Sequence, residues 1–506
     1  VSMTLLRRSV AVELDPATVF EALYAHAENA FWLDSGTHAT SGMSYLGASA
    51  TVCRWHSWAE ILAGTVGFGA MHRPPEAAPA EGADADGAAA ADTTGAGPRF
   101  RLGWVGWLEY ELGTLDEERA GRTPRPRHPV AVFLRVDRAV EFDHATGGVT
   151  LLALDEPGAE EWFAQTTAAL QAASAGATSA KAASARAVNA SATNSSTTTP
   201  AEEPASAFPT PAQSDPSTRV EASVRHPAHD YERLVEQCKR IIERGDAYQL
   251  CLTNRFAVNE HVDPFETYRR LREASPSHHS GYLRVGDTAL LSSSPEQFLS
   301  VDPHGTVVTR PIKGTRPRGD GPVEDALLVR ELAASQKERA ENLMIVDLMR
   351  NDLARVCRVG SVQVTSLLEV ETYRQVHQLV STVEGQLADG VTGLDAVAVC
   401  FPAGSMTGAP KRSAMAHLAA LEGGPRGIYS GAYGYLSFDG SVDLAMVIRS
   451  IVLTPDGASI GAGGGITALS EAADELRETR VKAAALLAVL GARAPVDDGG
   501  SGLRRP

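Results

Sequence analysis

The stretch YERLVEQCKRIIERGDAYQLCLT, residues 231–253, changes its hydrophobic period part-way along. Leu234, Cys238, Ile241 and Ile242 recur at helical spacing, and Gly245 marks where that helix should stop. Tyr248 through Thr253 then alternate as a strand does. Outward from this stretch both periods recur. Residues 324–357 predict one or two helices and 471–490 another. Strand-like runs lie around 307–309, 432–438, 445–453 and 459–461, and upstream at 100–109 and 131–142. The mixture predicts an α+β or α/β protein with large sheets, not a doubly wound nucleotide-binding unit.

Bulk properties narrow the class. The 506 residues allow about three average domains or one large unit. With 43% hydrophobic and 21% charged residues, a sizeable core is expected. The net charge of −16, from 46 basic and 62 acidic residues, argues against nucleic-acid and anionic-membrane partners. No run of ~18 apolar residues is long enough to span a bilayer. The expectation is a cytoplasmic protein. An anionic small substrate is still allowed where a local cation or metal reverses the field. Cys53, Cys238, Cys251, Cys357 and Cys400 are far apart and never in C-x-x-C spacing, so neither a disulfide framework nor a zinc site is expected. None sits in a G-x-C-x-G elbow. Residues 74–97 read as a loose insertion and 166–218 as a low-complexity linker, with a frayed helix at its Ala-rich start. They set an N-terminal region, 1–165, apart from a larger block, 219–493, and a loose tail, 494–506.

Four segments carry chemistry, and a glycine run beside them imitates a nucleotide loop. In ERAENLMIVDLMRND (338–352), Glu341 precedes an apolar run and is placed where a core helix opens onto a cleft. Glu471, Glu475, Glu478 and Lys482 fall on one helix face. That face is either solvated and laced with ion pairs or a carboxylate shelf for a hard cation. Two carboxylates from two helices, completed by waters and substrate oxygens, suit Mg²⁺. In TRPIKGTRPRG (309–319), Pro and Gly bracket Lys313 in a sharp turn. It reads as a nucleophile or as part of a basic loop that attracts an anion. In SSSPE (292–296), Glu296 is a candidate general acid or a solvated loop carboxylate. GAGGGI (461–466) fails the dinucleotide fingerprint at Ile466 and lacks a Walker lysine. Its backbone without Cβ atoms can approach an anionic ligand closely, or simply form a tight turn.

Together these residues resemble the chorismate-utilising enzymes: the anthranilate, aminodeoxychorismate, isochorismate and salicylate synthases. The similarity rests on SSSPEQFLS (292–300), PIKGTRPRG (311–319), ERAENLMIVDLMRNDLARV (338–356), YRQVHQLVSTVEG (373–385), FPAGSMTGAPK (401–411), YSGAYGYLSFDG (429–440), AMVIRSIV (445–452), GAGGGI (461–466) and ELRETRVKA (475–483). FWLDS (31–35) adds a weaker match. The resemblance implies an α+β fold, a large αββα sandwich of two interwoven subdomains with the active site between them, and makes 219–493 the chorismate-binding catalytic domain. It implies Mg²⁺ held by Glu341 and Glu478, with Glu475 acting through water. Arg449, Lys482 and the backbone of Gly463, Gly464 and Gly465 are implied to hold the substrate, with Thr315, Ser405 and Tyr429 around it. Glu296 is implied as the acid for the departing 4-hydroxyl, with His377 as the active-site histidine.

Two positions choose among the members. Isochorismate and salicylate synthases carry a water-activating lysine where this chain has Gln249, so water activation is disfavoured. Anthranilate synthases usually read P-I-A-G-T, whereas aminodeoxychorismate synthases read P-I-K-G-T, as here with Lys313. The resemblance therefore implies an amidotransferase-type amination of chorismate at C4, through a covalent Lys313 adduct, on the route to 4-aminobenzoate and folate. It implies ammonia from a separate glutaminase and a downstream aminodeoxychorismate lyase. The alternative within the family is anthranilate synthase component I, whose N-P-S-P-Y-M-like segment reads Ala274-Ser275-Pro276-Ser277-His278-His279 here. An alternative of another class is a non-catalytic scaffold that binds chorismate or a glutaminase.

Overall fold

A computed structural model describes residues 3–69, 98–114, 128–192 and 220–495. The insertion at 74–97, the linker beyond residue 192 and the tail from 496 lie outside the described residues.

The decisive stretch folds as its periods require. Ala228–Glu243 is a helix closed at Arg244, followed by Gly245 at φ 81°, a conformation that favours glycine. Gln249–Val258 is a strand buried through Asn254. Its alternate residues serve two layers. Leu250 and Leu252 pack with Tyr231, Leu234, Val235 and Leu418 of the covering helices, while Cys251 joins the core that contains residues of both sheets.

Two large sheets make the body, one of twelve strands and one of ten. Strands from both ends of the chain enter both sheets. In the larger, Asn29–Asp34 pairs with His279–Val285, placing Trp32 opposite Tyr282. In the smaller, Gly103–Leu108 pairs with Ala432–Ser437, placing Gly106 opposite Gly434. The ladders of both sheets are antiparallel, which fixes the class as α+β. Phe31, Tyr45, Leu283 and Leu290 of the larger sheet share a core with Trp104, Phe133, Tyr433 and Leu444 of the smaller. Helices cover the outer faces. Pro16–Leu23, Pro264–Ala274 and Ala472–Val489 bury Phe20, Tyr268 and Leu486 on the larger sheet, and Gln336–Ala354 lies against Val376–Gln386 of the smaller. Among the described residues, no helix is long and apolar enough to cross a membrane.

Three runs that read as strands, or as a turn between strands, are places where the chain changes sheet. Residues 131–142 divide into Ala131–Val136 in the smaller sheet and Arg138–Asp143 in the larger. Thr288–Ser294 belongs to the larger sheet and Gln297–Val301 to the smaller, so Glu296 lies on the crossing. Val442–Met446 and Ser450–Thr454 divide likewise, with Arg449 on the crossing at φ 50°. That left-handed angle is uncommon for a residue with a side chain. The last two crossings are stitched together: Ser293 N donates to Arg449 O at 3.1 Å and Met446 N to Glu296 O at 3.0 Å. Residues 324–357 form two helices, Pro322–Ala334 and Gln336–Ala354, separated by the single extended residue Ser335, which caps the second.

Candidate active site

Glu296 and Arg449 each lie on one of the two stitched crossings. Glu296 is buried, and Ser405 Oγ donates to its Oε1 at 3.1 Å. Burial raises its carboxyl above the ordinary range, while Lys313, the Ser405 hydroxyl, the Ile312 backbone N–H and Lys482 pull the other way. Burial lowers the Arg449 guanidinium, and the nearby Tyr429 and Glu478 oppose that.

Lys313 lies on Ile312–Pro317, where the register against Val376–Gln386 slips between Ile312 and Thr315. Gly314 follows at φ 83°. This irregularity lifts the lysine out of the ladder. Its charge acts on Glu296, Glu341, Glu478 and Cys251, four groups from four separate elements.

Two helices bring the carboxylates. Glu341 is half-buried on Gln336–Ala354; burial raises it, and Lys313 and Lys337 oppose the rise. Glu475 is buried on Ala472–Val489 and accepts from Ser470 Oγ at 2.8 Å, with Lys337 Nζ 3.8 Å away. It too is raised by burial. Glu478 is more exposed. Burial would raise it, but Lys482, with Nζ 2.7 Å from its Oε1, holds it below the usual range. Among the described residues, no three metal-binding side chains converge on one point. Glu478 nevertheless acts on Glu341 from the other helix, raising its cost of ionisation, with Lys313 and Lys337 opposing the rise. Such an all-oxygen pair fits a hard divalent cation bound through one or two carboxylates and water.

The glycine floor lies beside this shelf. Gly463, Gly464 and Gly465 pair with Thr253, Leu252 and Cys251. Lys482 Nζ donates to Gly463 O at 2.8 Å. A Cβ on Gly464 would meet Glu475 Oε2 at 2.9 Å, and one on Gly465 would meet Gln249 Nε2 at 1.9 Å. Glycine is therefore required for carboxylates and strand to approach this closely. Tyr429 covers the next open position, Gly461.

Not every expected residue faces this centre. His377 is fully buried, with Nε2 2.9 Å from Asp325 Oδ1 and Nδ1 2.9 Å from Thr372 Oγ1. Its contacts run to the loop beyond Lys313, because Asp325 also accepts from Arg318 and from Gly319 N. Thr315 is exposed on the Lys313 strand. Two features escaped sequence reading. Lys337 stands one helical turn before Glu341, a spacing that signals it. Arg426 and Glu422 form a buried ion pair, with guanidinium bonds also to Met406 O and Cys251 O, behind the Ser405 turn and the floor strand. Glu422 ends the helix Lys411–Glu422 and Arg426 lies beyond Gly423, so no local periodicity announced the burial of the pair.

The profile described as chorismate binding enzyme matches residues 28–488. The chain is 40% identical to aminodeoxychorismate synthase of Streptomyces pristinaespiralis over 96% of this chain and 64% of that protein. It is 38% identical to anthranilate synthase component 1 of Streptomyces coelicolor over 77% of this chain and 73% of that protein. It thus spans just under two thirds of the length of the first relative. Anthranilate synthase component I from Streptococcus pneumoniae superposes with a TM-score of 0.63 at 26% identity, covering 95% of this chain and 99% of that one. The menaquinone-specific isochorismate synthase from Escherichia coli shares the fold with a TM-score of 0.64 at 16% identity, over 97% and 95% of the two chains. With a profile match across most of its length, this chain belongs to the chorismate binding enzymes.

Proposed function

We propose that the protein aminates chorismate at C4, giving 4-amino-4-deoxychorismate for 4-aminobenzoate and folate synthesis. The observation that carries this reading is the position of Lys313, whose charge reaches the candidate acid Glu296 and the candidate metal carboxylates Glu341 and Glu478 together. A nucleophilic amine within reach of the acid and the shelf can attack the ring that both address.

In this mechanism Arg449, Lys482 and the backbone of Gly463–Gly465 hold the carboxylates of the dianion. Glu341 and Glu478, with Glu475 behind them, would hold Mg²⁺, which would supply charge neutralisation at a substrate carboxylate. Glu296, whose carboxyl burial raises and Ser405 orients, gives its proton to the departing 4-hydroxyl as the Lys313 amine bonds to C2. Ammonia then adds at C4 and expels Lys313, restoring the ring double bonds. Two displacements place nitrogen para, where direct attack at C2 would place it ortho. His377 acts through Asp325, holding the Arg318–Gly319 loop that follows Lys313.

Ammonia comes from a glutaminase partner. Burial raises all five thiols of this chain, the opposite of what a glutaminase nucleophile needs. An aminodeoxychorismate lyase acts downstream.

The test is to incubate the chain with chorismate, Mg²⁺ and ammonium, add such a lyase, and identify the aromatic amine by chromatography. 4-Aminobenzoate that disappears in Lys313→Ala supports para amination. Anthranilate from the wild-type chain transfers the protein to the ortho reaction, which the 38%-identical anthranilate synthase relative makes the second reading.

A further inference from the structure

Arg426 is buried, and all five of its guanidinium N–H donors are used. Nε and Nη2 donate to Glu422 Oε2 and Oε1 at 2.8 and 2.7 Å. Nη1 donates to Met406 O at 2.7 Å and to Ser430 Oγ at 3.4 Å. Nη2 also donates to Cys251 O at 2.8 Å. The guanidinium is itself held from several sides. The Tyr110 ring lies against it, 4.2 Å from centroid to Cζ. Glu111 accepts from the backbone N–H of Arg426 at 2.7 Å and of Gly427 at 3.0 Å. Glu422 Oε1 accepts from Thr253 N at 2.9 Å and from Thr253 Oγ1 at 2.8 Å, so the carboxylate that aims the arginine is fixed to the floor strand.

The acceptors belong to different parts of the candidate site. Met406 ends the Gly404–Met406 turn, whose Ser405 orients Glu296. Cys251 stands opposite Gly465 of the glycine floor. Ser430 follows Tyr429. Cys251 N also donates to Thr407 O at 2.9 Å, so the turn and the floor strand are joined directly and again through the guanidinium. A buried ion pair is often no more stabilising than an apolar pair of the same volume. An apolar pair, however, would not hold two backbone carbonyls at a set separation, whereas a planar five-donor fork does.

We propose that Arg426 is a positioning residue for the amination: by holding Met406 O and Cys251 O on one guanidinium, it sets the distance between the Glu296–Ser405 acid pair and the glycine floor that holds a substrate carboxylate. The proposal rests on the amination reading and adds to it a residue that acts only through its neighbours.

The experiment is steady-state kinetics of the full chain with chorismate, Mg²⁺ and ammonium chloride, for Arg426→Lys alone and in a Ser405→Ala background. Lysine keeps a cation for Glu422 but offers a single nitrogen, which cannot span the two carbonyls as the fork does. We expect kcat to fall about tenfold while the chorismate KM stays within about threefold. The alkaline limb of the pH–rate profile should move to higher pH, because a loosened Ser405 bond no longer favours ionised Glu296; Lys313 and Lys482, which also act on Glu296, are untouched. In the Ser405→Ala background the same change should cost less than about threefold, since the bond through which it acts is already gone. A tenfold loss in both backgrounds with an unmoved limb makes Arg426 purely structural and overturns the proposal. Should Arg426→Lys not fold, Thr253→Val carries the test. It takes one bond from Glu422 without changing any charge, and should lower kcat about threefold with little change in Tm. A wild-type kcat in Thr253→Val overturns the proposal. These outcomes leave amination intact, whereas no amine from the wild-type chain removes the amination reading itself.

Discussion

Ser405 donates a hydrogen bond to Glu296 at 3.1 Å across 109 residues of sequence, and both side chains are buried between the sheets. The bond favours the ionised carboxylate, yet burial keeps the group above its ordinary range. Ser405→Ala removes a donor and so raises Glu296 further. Because the acid acts in its protonated form, the alkaline limb of the pH–rate profile should move to higher pH. Loss of the orienting bond should also lower kcat about tenfold. Glu296→Gln should cost about 10²–10⁴-fold. A profile that does not move for Ser405→Ala would separate Glu296 from the acid step.

The covalent step predicts a trapped species. Without ammonium, mass spectrometry of chain mixed with chorismate and Mg²⁺ should show an adduct of one chorismate less one water. Lys313→Ala should show none, and peptide mapping should place the adduct at Lys313. An adduct elsewhere, or none in the wild type under rapid quench, counts against the two-displacement route.

The carboxylate shelf predicts opposite effects for two residues one helical turn apart. Glu341→Gln removes an oxygen ligand and should raise the Mg²⁺ concentration for half-maximal activity about tenfold or more. Lys337→Met removes a competing cation beside Glu475 and Glu341 and should lower it. A chelator should abolish activity, and added Mg²⁺ should restore it. Titration of rate against Mg²⁺ checks all three.

Arg426 and Glu422 are both almost wholly buried, and Nη2 lies 2.7 Å from Oε1. Arg426→Met strands a buried carboxylate and should destabilise the fold by about 3–5 kcal/mol in denaturant titration. Pairing it with Glu422→Gln should recover part of that loss, since the amide needs no counter-charge.

Glu109 also makes stability depend on pH. Burial, with Glu111 adding to it, pushes its carboxyl up to about 8, well above an ordinary glutamate at 4.5. Between these values the native state binds more protons than the unfolded chain, so its contribution to stability falls as pH rises through that window. Glu109→Gln should flatten the decline in Tm between about pH 5 and 8. An unchanged slope would mean that Glu109 is solvated.

The sequence alone determined what depends on neighbours in the chain. The period change at 231–253 specified a helix, a stop at Gly245 and a strand, because side chains three or four apart share a helix face and those two apart share a strand face. The same local logic set Glu475, Glu478 and Lys482 on one face of Ala472–Val489, and the Pro-Ile-Lys-Gly-Thr run singled out Lys313. Tertiary structure alone decided which sheet each strand joined. Both sheets impose the same period of two, so 445–453 reads as one run although the chain changes sheet at Arg449. That change sets Arg449 beside the Glu296 crossing, brings Ser405 to Glu296 from 109 residues away, and turns the Glu422–Arg426 pair inward. His377 lies on a strand that the sequence reading did not single out, and its ring turns toward Asp325. Contacts between distant segments follow from how the two sheets stack and which strands cross between them, and no local pattern encodes that stacking.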